Sequence, residues 1–153
     1  MASSRSWMIR LLSLYPPFLG AGIRVKTSAD LRTIDVRMKL RWWNRNYVGT
    51  QFGGSLYSMC DPFFMLILVE ALGKGYIVWD KAATIRFRRP GRGTVRATFH
   101  IPMVQIEEIR AAADGRGKVE PTFRMDVLDS KGEVIAEVEK LLYVRLAKPD
   151  SEL

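Results

Sequence analysis

The stretch 46–70, NYVGTQFGGSLYSMCDPFFMLILVE, constrains the rest of the chain most tightly. It opens as a polar, glycine-punctuated loop, passes through Gly53 and Gly54, and is continuously apolar from Phe63 to Val69. A helix that is hydrophobic all round has to be enclosed by other elements. The apolar run is bracketed by Asp61 and Glu70 and falls far short of the roughly 20 residues that span a bilayer. It therefore reads as a core helix with one carboxylate, Asp61, near its start, and stable membrane insertion is not expected.

The flanking chain reads as the enclosure. Residues 5–15, RSWMIRLLSLY, place Trp7, Ile9, Leu11, Leu12 and Leu14 on an apolar stripe, with Ser4 positioned as N-cap and Pro16-Pro17 as the stop. Residues 23–40 alternate, with Ile23, Val25, Ile34, Val36, Met38 and Leu40 on one side, and imply an antiparallel hairpin turning near 28–30. Beyond the helix, Gly73 and Gly75 supply a stop. Extended character then resumes over 76–93, with a turn at 90–93. Residues 94–110 read as a second long strand bulged at Pro102, followed by a loop at 113–118. Two alternating strands follow around a turn at 129–132.

The resulting expectation is an α+β fold: an antiparallel sheet of about six strands wrapped round one long central helix, plus a short N-terminal helix. Residues 1–19 form the N-terminal helix and lead-in, 20–147 the single domain, and 148–153 a polar tail. A chain of 153 residues can bury such a core without disulfides or metal. One cysteine, Cys60, and one histidine, His100, leave no structural zinc cluster and point to a reducing, cytoplasmic setting. No signal-peptide pattern is read in the N-terminal residues. The net charge of +8 would attract polyanions, but no nucleic-acid-binding motif accompanies it, and no nucleic acid partner is expected.

Asn46, Gly49, Gly53, Gly54, Met59 and Asp61 meet the spacing N-x-x-G-x-x-(H)-G-G-x(4)-L-x-D, and IRFRRPGRGTVRA supplies an extended run ending in R-P before a glycine and another strand. With the strand order, these residues resemble the hotdog-fold acyl-CoA thioesterases of the phenylacetate-pathway type over about 20–146. The extended motif GTQFGGSLYSMCDPFF is closer to a poorly characterised branch of hotdog proteins. Where the motif has histidine this chain has Phe52, so any role of that imidazole is missing. The resemblance implies an acyl-CoA substrate, coenzyme A entering as part of it, and no metal or other cofactor. It also implies a homodimer or homotetramer whose active site lies between subunits, the acid coming from one chain and backbone amides from the other.

Thioester hydrolysis needs donors for the oxyanion and a base or nucleophile. Amides at a helix N-terminus lack intrahelical partners, and glycine permits close approach, which fits Gly53 and Gly54. Asp61 would activate water or attack directly. Gly54 and Asp61 are two helical turns apart, about 10 Å along the axis, whereas both must come within about 3 Å of one carbonyl. Two antiparallel helices from neighbouring subunits meet that demand more easily than one.

Other readings compete. Asp61-Pro62 is also the signature of an N-cap with proline at the first helical position, and a helix kinked at Pro62 reconciles the two. Asn46 could hold water or simply its loop, and Asp80 could line the site or end a strand. Arg88, Arg89 and Arg92, in a hairpin with Arg86 and Arg96, could grip the phosphates of coenzyme A or form a solvated face. Phe52 joins Phe63, Phe64 and Trp43 as an acyl-pocket candidate. Cys60 reads as a buried hydrophobe and His100 as a structural imidazole. The stripe at 8–14 could be a lid or an interfacial helix. A non-catalytic acyl-CoA or fatty-acid binding protein is the alternative function, favoured by Phe52.

Overall fold

A computed structural model describes residues 6–147. Two short helices, α1 (Ser6–Arg10) and α2 (Pro16–Ala21), flank a 3-10 turn at Leu12–Leu14 and lead into β1 (Ile23–Thr27) and β2 (Thr33–Lys39). Helices α3 (Gly53–Ser58) and α4 (Phe63–Leu72) come next, then β3 (Tyr76–Phe87), β4 (Thr94–His100), α5 (Met103–Arg116), β5 (Lys118–Val119), β6 (Thr122–Leu128) and β7 (Val134–Leu146). The strands form one antiparallel sheet in the order β1-β2-β4-β6-β7-β3, with β5 paired to β7. This is the hotdog plan: a long sheet curled round a central helix.

The alternation in β2, β4 and β6 is what fixes the core. Ile34, Val36, Met38, Val95, Ala97, Phe99, Phe123, Met125 and Val127 all point inward, and α4 answers with Phe63, Phe64, Ile67, Leu68 and Leu72. A chain of rings, Phe18, Phe63, Phe99, Phe64 and Phe123, runs from α2 through α4 to β6, with successive centroids 6.0, 4.9, 5.2 and 4.7 Å apart. Tilted, edge-on and offset-stacked ring contacts of this kind add specificity to apolar burial. By length and composition, Gly53–Leu72 could cross a bilayer. Its apolar side chains are instead the centre of this core.

The central helix is broken rather than continuous. Pro62 has no N–H to bond one turn back, and residues 59–62 tighten instead: Cys60 N–H bonds Tyr57 O at 2.8 Å and Asp61 N–H bonds Ser58 O at 3.4 Å. Pro16 and Pro17, expected only to stop a helix, also start one, because proline is compatible with the first turn, where N–H groups have no partner anyway. Of the expected N-terminal stripe Ile9 is buried, whereas Trp7, Leu11 and Leu14 are exposed. The proposed cap Ser4 and the tail 148–153 lie outside the described residues.

The expected long strand over 94–110 is corrected. Strand β4 stops at His100, Pro102 takes an extended conformation as N-cap, and α5 occupies 103–116, including most of the expected loop. Ile106, Ile109 and Ala113, spaced by three and four, are its buried face. Arg110 donates to Ala71 O (2.9 Å) and Leu72 O (3.3 Å), satisfying carbonyls at the end of α4. Gly117, at φ 77°, ends the helix in the left-handed conformation.

Candidate active site

Strand β7 carries apolar residues at every second position, Val134, Ala136, Val138, Leu142, Val144 and Leu146, with one interruption, Lys140. Its side chain is therefore directed into the core, where it is 0% exposed. A buried ammonium has to be paired. Lys140 Nζ meets Asp61 Oδ1 at 2.9 Å, the Asp61 backbone carbonyl at 2.8 Å, Asp80 Oδ2 at 3.2 Å and the Tyr57 hydroxyl at 3.3 Å. Tyr57, one turn before Asp61, donates its hydroxyl to Asp61 Oδ1 at 2.8 Å.

Each member arrives by a local cause. The break at 59–62 turns Asp61 out of helical geometry and leaves its carbonyl to Lys140. A bulge in β3 between Asp80 and Ala82 re-aims Asp80 toward the same ammonium. The Asp61 carboxylate is anchored on one side yet half exposed on the other. Asp80 is more enclosed, and its Oδ1 is buried without a partner.

Burial alone would lower the Lys140 pKa, but the hydrogen bond to Asp61 and the charges of Asp80 and Asp61 outweigh it and hold the ammonium above its ordinary value. Desolvation raises Asp80 above the usual carboxylate range, with Lys140 pulling the other way and Asp61 adding to the rise. Tyr57 is raised by burial and by its bond to Asp61. The cluster thus holds a fixed cation between two acids, one facing solvent and one desolvated. Lys140 itself fills the space between the carboxylates that a metal ion would need.

The remaining candidates lie elsewhere. Asn46, Gly53, Arg88 and Arg89 line a cavity of about 350 Å³ with Phe87 and Gly91. Asn46 ties its own loop, donating to Thr50 Oγ1 (2.9 Å) and accepting from Thr50 N–H (2.9 Å). Arg88 pairs with Glu137 at 2.7 Å and Arg89 with Glu133, so both guanidinium groups already have acids. Arg92 is exposed in the β3–β4 turn. Gln51 explains the R-P-G turn: it donates to Gly93 O at 3.0 Å, and a Cβ on Gly91 would come within 2.9 Å of its Cγ.

Phe52 and Gly54 line a different cavity, about 410 Å³, with Trp43 and α2. Phe52 is the N-cap of α3 and offers no side-chain acceptor, so no cap occupies the first amides of the helix. Aromatic rings pack beside the two glycines: a Cβ on Gly54 would lie 2.6 Å from Phe52 Cε1, and one on Gly53 would lie 3.2 Å from Phe87 Cζ. A side chain at either position would make the neighbouring ring shift, and both rings are exposed on one side.

Cys60 and His100 are not brought together. Burial pushes the Cys60 thiol up to about 12, and it donates to Leu56 O. His100 is exposed on β4 and paired with Thr33 Oγ1 at 2.8 Å.

Residues 5–144 match a family described as a domain of unknown function, DUF4442. The chain belongs to that family. No curated protein matches this DUF4442 chain in sequence. Among solved structures it is similar to a Pseudomonas aeruginosa protein called a probable thioesterase (23% identity, TM-score 0.82, covering 96% of this chain and 99% of that one). It is also similar to a Haemophilus influenzae thioesterase (16%, TM-score 0.67, 93% and 92%) and to the E. coli PaaI protein of the phenylacetic acid degradation operon (18%, TM-score 0.62, 97% and 97%). At these identities the likeness establishes that the DUF4442 chain has the hotdog fold.

Sequence reasoning misses Tyr57 and Lys140; for Tyr57 its spacing of one helical turn before Asp61 was the only signal, and for Lys140 the signal was stronger: a lysine occupying an inward position of an otherwise apolar register.

Proposed function

We propose that this protein hydrolyses acyl thioesters of coenzyme A, with Asp61 as the base that activates water. The observation that carries the reading is the Asp61 carboxylate, half open to solvent yet held by the buried Lys140 ammonium and the Tyr57 hydroxyl. That clamp fixes its orientation, as a general base requires. Asp61 takes a proton as water adds to the carbonyl carbon. The oxyanion is received by the uncapped amides of Gly53 and Gly54 from a second subunit, and collapse expels the thiolate, which recovers the proton from Asp61. The structural neighbours named as thioesterases support this reading.

Self-association is part of the proposal. Strand β3 is an edge of the sheet, and most of its length is exposed or half-buried, so its outer hydrogen-bonding side is available for pairing with a second copy. A cytoplasmic location accords with the single buried thiol.

Hydrolysis across a panel of acyl-CoA substrates tests the reading. We expect Asp61→Asn to lower kcat by about a hundredfold or more, with the far-UV spectrum unchanged. An inactive wild type or a fully active Asp61→Asn protein would overturn it. A second reading, binding without turnover, is favoured by the Phe52 ring beside Gly54. It requires saturable acyl-CoA binding that is indifferent to Asp61.

A further inference from the structure

A row of arginines crosses the outer face of the sheet. In register, Arg24 of β1 stands opposite Arg37 of β2, and Arg37 stands opposite Arg96 of β4, all three exposed. Like charges directly opposite one another across strands repel. Elsewhere on the same strand pair the pattern is complementary, Lys26 opposite Asp35. Among the described residues no carboxylate forms an ion pair with Arg24, Arg37 or Arg96.

At one end of this row the surface becomes concave. Arg24, Arg37, Lys39 and Arg41, walled by Leu19 of α2 and by Trp43, line a bowl of about 550 Å³ that has no acidic residue in its lining. Two of the guanidinium groups are already oriented. Arg24 donates to Ser13 O at 3.4 Å, and Arg41 lies 5.2 Å from the centre of the Trp43 ring.

We propose that this bowl is a binding site for a phosphate-bearing anion. Several guanidinium groups and one ammonium in one concavity match a group with several charged oxygens, and each guanidinium can meet two of them through its paired donors. A monocarboxylate would leave most of the cations unmatched. Such an anion would also relieve the repulsion that the sheet's own residues leave standing. The phosphate has two sources with the same chemistry. One is a soluble nucleotide; the other is a lipid headgroup, for which the exposed Leu19, Trp42 and Trp43 beside the bowl would meet the chains. The site is independent of the thioester reading, because it is measured by binding and not by turnover.

The test compares wild type with Arg37→Ala/Lys39→Ala, both outward-facing on β2, and with Lys118→Ala/Lys131→Ala, which removes the same charge elsewhere. Binding of inorganic pyrophosphate and of ADP is measured by calorimetry against sodium chloride at matched ionic strength. Sedimentation is measured with vesicles of phosphatidylglycerol in phosphatidylcholine and of phosphatidylcholine alone. We expect at least one phosphate source to bind, the bowl variant to bind it at least tenfold more weakly, and the control variant to stay within twofold of wild type. Binding to pyrophosphate or ADP assigns a soluble ligand, and binding to the anionic vesicles assigns a headgroup. The proposal is overturned if no source binds above the chloride or phosphatidylcholine background. It is equally overturned if the two double variants weaken binding alike, which would reduce the effect to net charge.

Discussion

Lys140 on the inner face of β7 and the row Arg24, Arg37, Arg96 on the outer face of β1, β2 and β4 are cations in one sheet under opposite regimes. The inner cation is fully buried and contacts two carboxylates, a carbonyl and a hydroxyl. The outer cations are exposed, face one another, and have no ion-paired acid among the described residues. Solvation explains the contrast. An unpaired ammonium in the core would cost several kcal/mol, about as much as the whole protein has to spare. On the surface, water and salt screen repulsion down to a few tenths of a kcal/mol. A buried charge must therefore have its partners built in, while an exposed one can wait for a partner from solution.

The largest effect should come from breaking the inner arrangement. Lys140→Met keeps the volume and removes the cation, leaving Asp61 and Asp80 close together. Asp61 can rehydrate through its open side, so the expected loss is near the lower end for a broken buried pair, about 3 kcal/mol. Chemical denaturation with an unchanged m-value would measure it. Adding Asp61→Asn and Asp80→Asn to Lys140→Met should recover most of the loss, because no uncompensated charge then remains. If the triple variant is as unstable as Lys140→Met alone, packing of the lysine stem and not charge pairing holds this region.

The two regimes differ too in how far the sequence disclosed them. The outer row followed from alternation, since Arg24 and Arg37 fall between apolar positions and have to face outward, although their pairing across strands needed the register. The inner cluster was half legible. Asp61 stood out as the one acid at the head of an apolar helix. Asp80 depended on a β3 bulge that no local pattern announces, and Lys140 was passed over because its neighbours alternate so regularly. A sheet wrapped round the apolar run at 63–69 was readable from the alternating segments, and the hotdog plan from the resemblance carried by the motif from Asn46 to Asp61. The error at α5 has the same root as the oversight at Lys140. The helix was locally legible, because Ile106, Ile109 and Ala113 are three and four residues apart, which fits one face of a helix and not one face of a strand.

A smaller effect separates the two acids of the cluster. Asp80 has a folded-state pKa above its ordinary value of 3.8, chiefly because it is desolvated. The folded protein therefore binds that proton more tightly than the unfolded chain does. The contribution is fully present below pH 3.8 and is lost as pH rises through the folded pKa. Relative to Asp80→Asn, wild type should gain stability as pH is lowered through the carboxylate range. The check is the difference between the two denaturation curves at several pH values, in which groups common to both proteins cancel. A difference that runs the other way would mean that the Lys140 ammonium, and not desolvation, dominates at Asp80.

The smallest effect lies on the outer face and has the opposite sign. Arg37 takes part in both like-charge contacts of the row, so Arg37→Ala should stabilise the ligand-free protein, by about 0.2–1 kcal/mol per contact removed. Part of that gain is offset because alanine is a poorer strand former than arginine. Arg37→Gln, which keeps most of the stem, isolates the charge better. Raising the salt should shrink the gain, since the screening length falls to about 3 Å at 1 M. Adding pyrophosphate should reverse it, because an anion that binds only the folded wild type stabilises that protein and not the variant. Thermal melts of the two proteins in low salt, high salt and pyrophosphate measure all three. A neutral variant that is less stable than wild type in every buffer would place Arg37 in packing, and the difference between the two faces would then not be one of unmet charge.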